Sequence, residues 1–79
     1  MKKMTCKQLG GACDLEFQAT TFEEIAQLSK EHGMKMFLEK DAPHLQAMNE
    51  MRQMMKNSDA MKTWFEEKRI QFESLPDLP

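Results

Sequence analysis

The chain lacks most of the features that announce a function. Its 79 residues carry 11 Lys and Arg against 13 Asp and Glu, a net charge of −2. No basic stripe runs along any segment, so nucleic acid is not an expected partner. No apolar run approaches the length of a membrane span. Met1-Lys2-Lys3 is followed by Met4-Thr5-Cys6-Lys7-Gln8, too polar for the core of a secretory signal. A cytoplasmic protein with no membrane partner is therefore expected. Glycine is scarce, and Gly10-Gly11 is not followed by the helix start that a phosphate-binding loop requires. Cysteine is scarcer still. Cys6 and Cys13 are the only two, and six residues lie between them, which excludes the C-x-x-C arrangement of thioredoxin-like redox motifs. A Cys and a His exist, but no orienting third group and no oxyanion site can be assigned, so the expectation is not an enzyme.

Seventy-nine residues make one domain, residues 1–79, without internal repeats. So short a chain buries little apolar surface and profits from a staple, either a bound metal or a partner subunit. Both edges of a lone hairpin are open to pairing with another chain, so a homodimer or a protein partner is a further expectation.

What is present reads as an α+β fold. Lys2–Cys6 and Leu15–Thr20 predict two strands, with Leu15, Phe17 and Ala19 alternating against polar neighbours. Gly10-Gly11 permits the reversal between them. Thr21-Phe22-Glu23-Glu24 fits a capping box for a first helix that continues to about Lys40. Together these make a hairpin packed on a helix over residues 2–38. Asp41-Ala42-Pro43 predicts a second capped start, and its helix carries Leu45, Met48, Met51, Met54 and Met55. Asn57-Ser58-Asp59 is a break before a third helix, which places Met61, Trp64, Phe65, Phe72 and Leu75 on one face. Lys68 falls within that face and Ile70 opposite it. Residues 41–75 form a helical pair that completes the core, and residues 76–79 a frayed tail.

The chemistry-bearing residues are Cys6, Cys13 and His32. The two cysteines end one strand and begin the other, so the loop brings their sulfurs together. His32 lies one turn beyond Leu28, on the helix face that meets the hairpin. Lys2, Lys3 and Lys7 surround Cys6; they read first as a solvated edge, and otherwise as a set of charges that favours the thiolate, the form that binds metal. Thiolates and imidazole are zinc ligands. Against this stands the plainer reading of two small buried thiols and a hydrogen-bonded histidine. His44, beside Pro43 in the first turn of the second helix, reads as an exposed polar residue.

The stretch M-T-C-K-Q-L-G-G-A-C-D, then L-E-F-Q-A-T-T-F-E-E-I and a His in the first helix, resembles a small bacterial and archaeal family, the domain of unknown function 1059 family. Its members are described as predicted small metal-binding proteins. The resemblance covers residues 2–38 and implies Cys6, Cys13 and His32 as ligands. The family commonly carries another His near the end of the same helix, where this chain has Met36 and Phe37. The fourth ligand is then open between Met36, which follows His32 by one turn, Asp14, water and a partner chain.

Nine methionines are unusual for this length. Met48, Met51, Met54 and Met55 cluster on the second helix, with Met34, Met36 and Met61 nearby. They read as filler for an irregular core, as an adaptable surface for a partner, or as a soft-metal cluster. Three functional expectations follow: a small non-enzymatic zinc protein, an interaction module or homo-oligomer using strand edges or Met-rich helices, and a thiol redox sensor built on Cys6 and Cys13.

Overall fold

A computed structural model describes residues 1–79 and shows an N-terminal β-hairpin followed by three helices. Strand β1 (Lys2–Thr5) pairs antiparallel with β2 (Glu16–Ala19), placing Met4 opposite Phe17 and Lys2 opposite Ala19. Alternation explains the hairpin's two faces. Met4, Phe17 and Ala19 are buried, while Lys3, Glu16 and Gln18 face solvent, where Lys3 Nζ and a Glu16 carboxylate oxygen lie 3.1 Å apart. Leu15, expected within the strand, precedes it and is exposed.

Beyond β1 the chain turns through a short 3-10 helix, Lys7–Leu9. The ladder continues past it, with the Cys6 amide donating to the Leu15 carbonyl (2.8 Å) and the Lys7 amide to the Cys13 carbonyl (2.9 Å). These bonds hold the two cysteines side by side. Gly10 ends the turn at φ +93°, a left-handed conformation that only glycine adopts without strain.

Helix α1 (Phe22–Leu38) starts at Thr21, whose hydroxyl accepts from the Glu24 amide (3.1 Å). The Glu24 carboxylate in turn accepts from the Thr20 and Thr21 hydroxyls. It ends just short of the expected Lys40. Lys40 takes φ +56°, and the Asp41 amide bonds back to the Met36 carbonyl (3.1 Å), closing a Schellman-type turn. Helix α2 (Ala42–Met55) follows at once, with Asp41 as its cap. Asn57 then caps α3 (Ser58–Glu73) by accepting from the Asp59 and Ala60 amides.

The core is small. Met4, Cys6, Leu9, Phe17, Ala19, Phe22, Ile25 and Phe72 form its apolar cluster, and only nine residues of 79 are buried. It lies between the hairpin, α1 and the end of α3, where Phe22 and Phe72 meet edge to face at 6.1 Å. On α3, Ile70 is exposed as its position predicts. Lys68 lays its stem along apolar surface, its ammonium 5.7 Å from the Trp64 ring centre. Phe65, expected inward, is 41% exposed, because it lines an open cleft that Phe22 and Ala26 of α1 and Met51 and Met55 of α2 border without closing. In the tail, the Leu78 amide donates to the Met1 carbonyl (2.6 Å), which places Leu78 beside the start of the chain. No helix is long and apolar enough to cross a membrane.

Candidate metal centre

Four donor atoms converge where the hairpin loop meets the α1–α2 corner. One atom each from Cys6, Cys13, His32 and His44 lie within 4.8 Å of one another. Each comes from a different local structure. Cys6 follows β1, Cys13 precedes β2, His32 projects from the second half of α1, and His44 sits in the first turn of α2. The Schellman turn at Lys40 folds α2 back so that His44 reaches the same point as His32. Their rings meet edge to face at 5.2 Å between centres, and Phe17 lies 5.7 Å from His32 on another side.

Two sulfur–nitrogen pairs define the geometry. Cys13 Sγ is 3.3 Å from His32 Nε2, and Cys6 Sγ is 3.6 Å from His44 Nε2. A tetrahedral zinc ion with Zn–S near 2.3 Å and Zn–N near 2.05 Å holds neighbouring S and N about 3.6 Å apart. These two separations are close to that length, while the four donors together span up to 4.8 Å, beyond the roughly 3.8 Å sulfur–sulfur edge of such a tetrahedron.

The surroundings orient the donors. Asp41 accepts from the His44 backbone amide (3.2 Å) and from His44 Nδ1 (2.5 Å) with the same oxygen. With Nδ1 donating to Asp41, the neutral imidazole presents its Nε2 lone pair to the cysteines, the arrangement by which carboxylates fix metal-ligating imidazoles. Gly11 shapes the thiol side. A Cβ there would fall 2.1 Å from Cys6 Sγ, so the sulfur occupies space that any other residue would take.

The same groups perturb one another's protonation. Asp41 raises the pKa of His44 against the opposing effect of burial, and the Cys13 thiol adds to the rise. His44 in turn lowers Asp41. His32 is lowered, first by burial and then by the charge on His44. Burial raises the Cys6 thiol, and none of the lysines near it in sequence offsets this, so the thiolate they were expected to favour is disfavoured. Burial acts the same way on Cys13, but the Leu15 backbone amide and the His44 imidazole outweigh it and the thiol is lowered. The site thus holds one thiol predisposed to ionise and one held back.

Of the sequence-predicted ligands, Cys6, Cys13 and His32 are brought together. His44 corrects the earlier reading: it is buried, with 5% of its surface exposed, and supplies the fourth donor. Asp14, offered as a fourth ligand, is exposed and outside the group, and Met36, half-buried one turn past His32, is not needed to complete four. A signal for His44 was present. Asp41 was legible as a helix cap, and a cap's side chain lies against both the amide and the side chain of the third helical residue, which here is His44. A histidine so placed is held by a carboxylate and is not simply a solvated surface group. Comparison with protein-family models, curated proteins and solved structures finds no match to this chain.

Proposed function

We propose that this is a small metal-binding protein that holds one zinc ion through Cys6, Cys13, His32 and His44. The observation that carries the reading is the convergence of two sulfurs and two imidazoles within 4.8 Å, with two S···N separations at the edge length of a zinc tetrahedron. Mixed thiolate and imidazole ligands suit zinc and other borderline-to-soft ions and disfavour magnesium or calcium. Four protein donors also fill a tetrahedron and leave no open position for substrate, which supports a binding role over a catalytic one.

The ion would also act on stability. With nine buried residues the apolar core is thin, and a structural zinc ion contributes folding free energy directly, on the order of 10 kcal/mol in zinc-finger peptides. It would tie the hairpin loop to the α1–α2 corner, two regions otherwise joined mainly through side-chain packing.

Native mass spectrometry of the reduced, tag-free chain is the test. One zinc per chain, lost on chelation together with a fall in Tm, is the expected result. A chain that arrives without metal and takes up none when reduced overturns the proposal.

A second reading has its own observation. Met34, Phe37 and Leu38 stand 60%, 55% and 77% exposed at the end of α1, and contiguous exposed apolar residues mark interaction surfaces. A protein partner or a second copy would cover them. Sedimentation across a concentration series separates the two states, and a strict monomer removes the second copy.

A further inference from the structure

One face of α2 continues outward from the metal centre. His44, Met48, Met51 and Met55 fall within about 60° of one another around the helix axis and span about 16 Å along it. Three of the four are thioethers. They line an open groove of about 320 Å³ whose lining also includes Cys6 and Gly10. These methionines do not fill an interior. Met48 and Met51 are half-buried, and Met55 is 48% exposed. Glycines stand against two of them. A Cβ on Gly10 would lie 3.3 Å from Met51 Sδ, and one on Gly33 would lie 3.7 Å from Met48 Cε. The groove therefore keeps its thioethers uncovered, beside two of the four donors of the centre.

The lining decides which ion suits it. No carboxylate faces the groove, and its permanently charged residue is Arg52. A hard divalent ion finds no anionic oxygen there, only the Ser29 hydroxyl, and is repelled twice as strongly by the guanidinium as a monovalent one. Thioethers are poor ligands for zinc and good ones for Cu(I).

We propose that this groove is a loading site for a soft monovalent d10 cation, Cu(I), which Met55, Met51 and Met48 hold and pass to Cys6. The proposal rests on the four-donor reading of the centre and adds a second metal that reaches it by its own route. The transfer is ligand exchange without redox change. Copper stays in the +1 state, the thioether sulfur leaves as the Cys6 sulfur binds, and the thiol proton passes to solvent. Zinc reaches the same centre without the thioethers.

The test compares the reduced, metal-free full chain with the variant M48L/M51L/M55L, leucine being close to methionine in volume. Cu(I) is supplied from a coloured Cu(I) chelate and zinc from a zinc–dye complex, and both uptake rates are read by absorbance. The expected result is Cu(I) uptake slowed several-fold and zinc uptake unchanged. Cu(I) uptake at the parent rate, or an equal slowing of both metals, overturns the groove's role. Failure of the parent chain to take up either metal overturns the four-donor centre itself, which separates the two proposals. A measurement on the unaltered chain removes dependence on the variant's folding. With methyl-13C methionine, Ag(I) as a redox-inert stand-in is expected to shift Met48 and Met51 before Met1, which is exposed and lines no part of the groove. Simultaneous shifts of all three mean only nonspecific thioether binding and sink the loading site.

Discussion

One oxygen of Asp41 is shared between two hydrogens of His44, the backbone amide at 3.2 Å and ring Nδ1 at 2.5 Å. The contact that starts helix α2 is thus also the contact that aims the imidazole. Asp41→Asn separates the two roles. Asparagine caps a helix as well as aspartate does, so folding should persist, but the charged partner of Nδ1 is gone. Zinc affinity is expected to fall about 10–100-fold, while Tm of the metal-free chain moves little once the pH is high enough for His44 to be neutral. Asp41→Ala should add the loss of the cap, about 1 kcal/mol. Competition titration against a zinc chelator reads the first effect. Equal affinity in D41N and the parent would mean that Asp41 serves the helix alone.

Gly11 and Gly33 make a matched pair of tests. A Cβ on Gly11 would sit 2.1 Å from Cys6 Sγ and 3.1 Å from the Cys6 carbonyl oxygen. That oxygen already accepts from the Leu9 and Gly11 amides and cannot retreat. Gly11→Ala is expected to cost about 1–3 kcal/mol through overpacking and to weaken metal binding by displacing the thiol. At Gly33 the nearest atom, Met48 Cε, is 3.7 Å away. Gly33→Ala, inside a helix, should stabilise the chain by up to about 1 kcal/mol and leave zinc affinity unchanged. Denaturant midpoints with zinc titrations check both, and a harmless G11A would disprove the steric account of the thiol's position.

Proton titration of the metal-free chain should split the two histidines. His44 is raised by Asp41 and His32 is lowered by burial, so NMR should find His44 titrating above 6.5, the ordinary imidazole value, and His32 below it. The signs carry into stability. The contribution of His44 is fully present below 6.5 and is lost as pH rises through its folded value. That of Asp41 is present above 3.8 and is lost as pH falls through its folded value. The pair therefore stabilises the chain most between those two limits. His32 opposes it, because below 6.5 the unfolded chain takes that proton first. A reversed order of the two imidazoles would contradict the Asp41 contact.

The corner between α1 and α2 contains a cost that can be removed. Lys40 adopts φ +56°, a conformation that disfavours a residue with a Cβ by roughly 1–2 kcal/mol. Lys40→Gly is expected to stabilise the chain by about 1 kcal/mol after allowing for glycine's greater freedom when unfolded, or roughly 4–8 °C in Tm. Zinc affinity should hold or improve, since the turn that carries His44 toward His32 is relieved. Destabilisation in calorimetry would mean that the Lys40 side chain has a role beyond the turn.

The sequence by itself determined the elements and their punctuation. Thr21, Asp41 and Asn57 cap helices because a side-chain oxygen beside a free amide is a local, chemically specific signal. Phe17 and Ala19 read as the inner face of a strand for the same local reason, periodicity. Cys6 and Cys13 could be brought together on paper because the hairpin ladder fixes both. The fourth donor could not be found that way. Residues 33–43 separate His32 from His44, and their convergence depends on the angle of the α1–α2 corner. That angle is set by the left-handed Lys40, a residue whose type gives no warning of the turn. The methionines are the same case. Helical spacing put Met48, Met51 and Met55 on one face, but whether that face met a core or an open groove depended on how closely α3 and the hairpin loop approached, and only packing in three dimensions fixes that distance.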